Sequence, residues 1–224
     1  MAKIIPFQGY RPSPDIASTV SSPPYDVITS DEARDIVTGN HYSFLRVIKP
    51  EIDFSSDNEP KGDVLHQHGS KNLQSFIRDG KLIQDENCCF YLYQIKMGDH
   101  TQTGVMAAVS IEEYNKGLIK KHEFTREDKE NDRTRHIEIT NANTGPVFLI
   151  FRNDGQFQNT VSIIIKQAPE ISFTADDKTI HTLWKTDSPN QLNILKKYFE
   201  SIEALYIADG HHRAASASRV QTIR

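Results

Sequence analysis

Cysteine is nearly absent: there are two in 224 residues, and those two are neighbours, Cys88 and Cys89. Adjacent residues of a strand point to opposite faces, which argues against an ordinary structural disulfide between them and for reduced strand residues. Apolar runs are short. None approaches the ~20 residues needed to cross a bilayer, and no charged-then-apolar leader opens the sequence. The expectation is a cytoplasmic protein with no membrane partner. An excess of one charge is missing too. Twenty-six basic residues face 30 acidic ones, mixed along the chain, for a net charge of −4. No general field therefore draws polyanions, and any nucleic-acid contact has to be local. No internal repeat, phosphate-binding P-loop or dinucleotide Gly-rich fingerprint occurs. His122-Glu123 has the first two letters of a helical zinc-protease motif, but the second His that motif needs four residues on is replaced by Arg126. A zinc site therefore has little support.

What is present suggests an α+β chain with a mixed or largely antiparallel sheet and flanking helices. Residues 1–224 form one unit or two lobes with a boundary near 140–155. The first 28 residues hold five of the ten prolines, so a rigid extended arm is expected there, without regular helix. Thr29 and Glu32 make a capping box for a short helix to Val37, with Gly39 after it. His41–Lys49 alternates as a strand does, with Leu45 and Val47 on one face. A helix follows over 63–79, weakened in its middle by Gly69 and stopped by Gly80. Cys88–Met97 and Thr101–Ile111 form a hairpin across Gly98-Asp99-His100. Residues 146–152 read as a buried strand, 159–167 fits strand or helix equally, and 171–174 with 179–186 makes a second hairpin. Trp184 belongs to the core or a pocket wall. Ser188, Pro189 and Gln191 start a helix with a Ser/Gln capping box, and its buried side is Leu192, Leu195 and Phe199.

Three places carry candidate chemistry. The arm ends in Tyr25 and Asp26, a phenol and a carboxylate that a stiff loop could present to a substrate, or that could simply help lash the arm across the core. The stretch from Lys120 to His136 is the most charged in the chain. Thr125 is placed to cap a helix there, and Arg126, Lys129, Arg133 and His136 then share one side of it. Such a row either faces an anion or is a solvated face laced with ion pairs to Glu130, Asp132 and Glu138. Last, the strand Leu205–Ala208 runs into Asp209-Gly210-His211-His212-Arg213 and an Ala/Ser-rich tail. A strand-to-helix turn of this kind offers backbone N–H groups, the positive end of a helix dipole, two imidazoles and a guanidinium. It is an anion site in outline, or a tight turn that happens to be basic.

Taken together, Phe7–Pro12 with Pro23–Val27, Lys121-His122-Glu123 through Arg126 to Asp132-Arg133, and Tyr206–Arg213 resemble the bacterial domain-of-unknown-function 1015 family. Their order and spacing match across nearly the whole chain. Members of that family are usually much longer, so the resemblance implies the N-terminal part of a longer protein, and a sheet or core edge left open would favour a homo-oligomer. The final turn also resembles the phosphate-binding turn of the ParB and sulfiredoxin superfamily, which includes partition proteins, a sulfinic-acid reductase and kinases of free serine. The reductase cysteine is absent from this turn. The likeness implies a nucleotide-phosphate cradle at Gly210, His211, His212 and Arg213, helped by Arg126, Lys129, Arg133 and His136. It also implies ATP or ADP with Mg2+ as cofactor, and transfer between the nucleotide and a small hydroxy amino acid such as serine. Glu123 is then the candidate general base, Asp209 a metal ligand or second base, and Tyr25 and Asp26 the substrate contacts. The competing expectations are a binding module without chemistry and an inert fragment. The acidic balance and the lack of aromatics interleaved with a basic patch argue against nucleic acid.

Overall fold

The structure, a computed structural model, describes residues 2–152 and 154–224; Met1, the first residue of the proline-rich arm, lies outside it. In chain order the first elements are β1 (Ile4–Ile5), β2 (Tyr10–Pro12), α1 (Ala17–Val20), α2 (Ser30–Ile36), α3 (Leu45–Ile48), α4 (Asp63–Arg78) and β3 (Leu82–Gln84). There follow β4 (Phe90–Met97), β5 (His100–Met106), β6 (Ala108–Val109), α5 (Ile111–Asn115), β7 (Ile119–Lys120), α6 (Glu127–Thr140) and β8 (Phe148–Ile150). The chain ends with α7 (Gln156–Ile165), β9 (Ile171–Thr174), β10 (Ile180–Thr186), α8 (Pro189–Ser201), β11 (Leu205–Asp209) and α9 (His211–Ile223). This is an α+β protein with antiparallel and parallel strand pairing. Among the described residues no helix is long and apolar enough to cross a membrane.

The chain divides into two compact units, each built from three segments. One comprises Met1–Ser18, Ile83–Lys120 and Leu149–Tyr206. Its centre is a four-stranded antiparallel sheet in the order β5-β4-β10-β9. The expected hairpins are both there. Met97 pairs with His100 across a turn opened by Gly98, whose φ of +57° suits a residue without a Cβ; Ile180 pairs with Thr174 in the other. The ambiguous segment is helix α7. Phe157, Val161 and Ile164 are buried at helical spacing, and the ring of Phe157 meets those of Tyr198 and Phe199 from α8. Burying an apolar side chain as fully as Ile164 or Leu195 contributes about 1.5–3 kcal/mol. An exposed ion pair gives ~0–1, so this packing fixes the unit. Its buried charged group among the described residues is Asp85, whose carboxylate accepts hydrogen bonds from Arg11, Tyr91 and Lys185.

The other unit, Thr19–Leu82, Lys121–Phe148 and Ile207–Arg224, is helical. Here α4 packs against α3 on one side and α6 on another, and α6 packs against α9. Helix α6 has little apolar surface, and polar links hold it: Arg135 to Asp63, the Ser70 hydroxyl to the Ile139 carbonyl, and the Ser216 hydroxyl to the Glu130 carbonyl. Every residue proposed above for the site belongs to this unit.

Five local expectations are corrected. The strand expected to be buried at 146–152 is β8, and its Phe148 and Ile150 are exposed. Residues 45–48 form a helix, where a strand was expected. Leu45, Val47 and Ile48 are all buried, and Asn72 on α4 donates to the Arg46 carbonyl, so contact with α4 decides what the short apolar run could not. The proline-rich arm contains helical turns at Pro14–Ile16 and in α1, because Pro14 occupies a first helical position, where its missing N–H costs nothing. Thr125 does not cap α6. The N-cap is Arg126, and the Thr125 hydroxyl donates to Glu130. Ser188 makes no side-chain cap either; Gln191, its intended partner, accepts from the Thr186 hydroxyl instead.

Candidate functional site

Strand β11 delivers Asp209, and Gly210 turns the chain into α9. At φ +92° Gly210 adopts a conformation that a residue with a Cβ avoids, and an added Cβ would meet Val147 Cα at 3.4 Å and Arg213 Cζ at 3.5 Å. The turn is therefore tight because it is glycine. No side chain caps α9 among the described residues, so its first backbone N–H groups and the positive end of its dipole are left for another acceptor.

The loop before α6 is held against this helix start by the two histidines of the turn. His211 Nε2 lies 3.5 Å from the backbone N of His122, and His212 Nε2 accepts the backbone N–H of Arg126 at 3.0 Å. An accepting nitrogen carries no proton, so the proton of His212 is on Nδ1. The result places Glu123 Oε1 2.9 Å from His211 Nδ1. The rings of His122 and His211 meet edge to face at 4.4 Å between centroids. Burial pulls the His211 imidazole down; the Glu123 carboxylate pulls the other way, and the net shift is downward. Phe124, next along the loop, is fully exposed.

Arg213 is largely buried, and its guanidinium is already engaged. Nη2 donates to Asp26 at 3.0 Å and Asp209 at 2.8 Å, and Nη1 donates to the Pro146 carbonyl at 2.5 Å. Gly145 leaves room for it, since a Cβ there would meet Arg213 Cδ at 3.2 Å. Burial lowers the guanidinium's proton affinity, but Asp26 and Asp209 more than restore it, and it stays charged. Arg213 thus ties the turn to the arm. Tyr25 joins the same group: Arg133 Cζ is 4.4 Å and Arg213 Cζ 6.0 Å from its ring centre. Burial raises the Tyr25 phenol more than these two cations lower it.

The row on α6 is less uniform than its spacing implied. Arg126 is exposed and pairs with Asp128, and Lys129 is exposed. Arg133 is mostly buried, bonded to Asp132 and in contact with Tyr25. His136 adds no charge: burial, with Arg133 and His66 in support, pulls its imidazole down to about 3. Asp26 and Asp209 meet on one guanidinium; Glu123, His211 and His212 meet at the helix start. Sequence reasoning passed over His122, Gly145 and Pro146. The zinc-protease spacing looks for a partner of His122 four residues away, whereas His211 lies 89 residues on.

Fold and site together define an α+β protein with imidazoles, a carboxylate and a braced guanidinium gathered at an uncapped helix start. The family model described as "Protein of unknown function (DUF1015)" matches residues 4–224, and the chain belongs to that family. No curated protein and no solved structure matches it.

Proposed function

We propose that the chain is a phosphotransferase that moves a phosphoryl group between a nucleotide, ATP or ADP with Mg2+, and a small hydroxy amino acid such as serine. The observation that carries the reading is the convergence of the loop 122–126 on the uncapped start of α9, fixed by the backbone contacts to His211 and His212. Phosphoryl transfer needs positioning and positive potential on the phosphate oxygens more than covalent chemistry. The first N–H groups of α9 and the His212 ring would hold phosphate, with exposed Arg126 and Lys129 able to swing toward it. Arg213 positions the turn and holds Asp26 beside it, and Arg133 stacks on Tyr25, these two being the substrate contacts. Asp209 is the oxygen donor that suits Mg2+, which would neutralise charge on the nucleotide. Glu123 is the proton acceptor for the alcohol, contributing about 10²–10⁴ in rate.

A cytoplasmic location goes with this reading, as do the two free thiols. The test is to incubate the chain with ATP or ADP, Mg2+ and serine, or with phosphoserine in the reverse direction, and to follow nucleotide conversion. Conversion that Glu123→Gln lowers by about 10²–10⁴, with nucleotide still bound, supports the assignment. Nucleotide binding with no product reduces the protein to a nucleotide-binding module. Absence of both overturns the reading.

A further inference from the structure

Among the described residues, one group of three could hold a metal ion: His122, Glu123 and His211, whose donor atoms all lie within 4.8 Å of one another. Donors on a common cation are about 3–3.5 Å apart when each bond is near 2.1 Å, so this group needs only small side-chain movements to close. A second feature points into the same spot. The His211 side chain is 2 % exposed, and its Nδ1, though 2.9 Å from Glu123 Oε1, is not aligned with it as a hydrogen bond and has no other partner among the described residues. A buried ring nitrogen without a hydrogen bond is costly unless something else takes its lone pair.

We propose that His122, Glu123 and His211 form a site for a divalent transition-metal cation such as Zn2+, Co2+ or Ni2+. Imidazole nitrogens favour such metals, whereas Mg2+ prefers oxygen donors throughout. Two neutral nitrogens and one carboxylate are the donor set of sites that keep coordination positions open. Glu123 is 55 % exposed and His122 is exposed, so the open positions face solvent. For Nδ1 of His211 to bind, the ring must take its other neutral tautomer, with the proton on Nε2, and give up accepting the His122 N–H. The 3.5 Å contact from the His122 N–H to Nε2 is at the long limit of a hydrogen bond and does not prevent this. The nearby helix start repels a cation, and the Glu123 carboxylate offsets that repulsion.

The site stands or falls without phosphoryl transfer, so it is tested with metal alone and no nucleotide. The full chain is titrated with Co2+, following its d–d absorption, and with Zn2+ and Mg2+ by calorimetry. The expected result is one Co2+ or Zn2+ per chain, bound at least about 100-fold more tightly than Mg2+. His122→Ala and Glu123→Gln, both at exposed positions that leave the core intact, each weaken Co2+ binding at least about 10-fold. His100→Ala, at an exposed histidine on β5, leaves it unchanged. Wild-type Co2+ affinity in both His122→Ala and Glu123→Gln, or no preference over Mg2+, overturns the proposal.

Discussion

Arg213 shows how far a residue's chemistry depends on what surrounds it. Read in sequence, a guanidinium after Gly-His-His is a phosphate ligand; in the fold its donors are on Asp26, Asp209 and the Pro146 carbonyl. Lysine has the charge but not the planar fork that reaches three acceptors. Arg213→Lys is expected to lower the unfolding free energy by about 1–3 kcal/mol, read as a lower denaturant midpoint with unchanged slope. An unchanged midpoint would mean the guanidinium is not a brace. The turn itself was legible, because Gly followed by two histidines and an arginine after an apolar run is a strong local pattern. His122 was not. Its role comes from His211, brought beside it by the packing of α6 on α9, and no local spacing records that.

Among the elements, those whose signals are local came through intact. Thr29 and Glu32 form the reciprocal capping box that their spacing predicts. Gly98 opens the first hairpin. Elements decided by tertiary contact did not come through: α3 read as a strand because a four-residue apolar run fits either period. The caps expected at Thr125 and Ser188 lose to other local bonds: the Thr125 hydroxyl donates to Glu130, and Gln191 accepts from the Thr186 hydroxyl. Gly69 was read as a weak point in α4, and its reason is contact. A Cβ there would lie 2.7 Å from the Val47 carbonyl oxygen. Gly69→Ala should therefore destabilise the protein, against the gain of about 1 kcal/mol that helix propensity alone predicts. Thermal unfolding distinguishes the two by sign: a higher midpoint would show that α3 and α4 can separate at no cost.

At the scale of the whole molecule, the α+β class was legible in the two hairpins and the amphipathic helices. The division into two interleaved units was not, since each unit is assembled from three separated segments. Global stability should carry the mark of His136. Both of its ring nitrogens lack a hydrogen bond among the described residues, and Arg133, His66 and Asp132 surround it. Its imidazole titrates near 6.5 when unfolded and at about 3 when folded. Between those values the unfolded chain binds a proton that the folded chain does not. The stabilisation is complete above pH 6.5 and falls as pH drops toward 3, by up to ~1.4 kcal/mol per pH unit. His136→Gln, with nothing to protonate, should flatten this slope in denaturant titrations, and an identical slope would show that the buried imidazole titrates normally.

The central claim is that the start of α9, with the loop clamped beside it, holds nucleotide phosphate. The most direct measurement is a calorimetric titration of the full chain with ADP in Mg2+, repeated on Gly210→Val, whose side chain would distort the turn and crowd Val147 and Arg213. The account predicts saturable binding of one ADP per chain, lost or weakened at least about 10-fold in a variant that still folds by circular dichroism. No binding at millimolar ADP, or equal affinity in the folded variant, would contradict it.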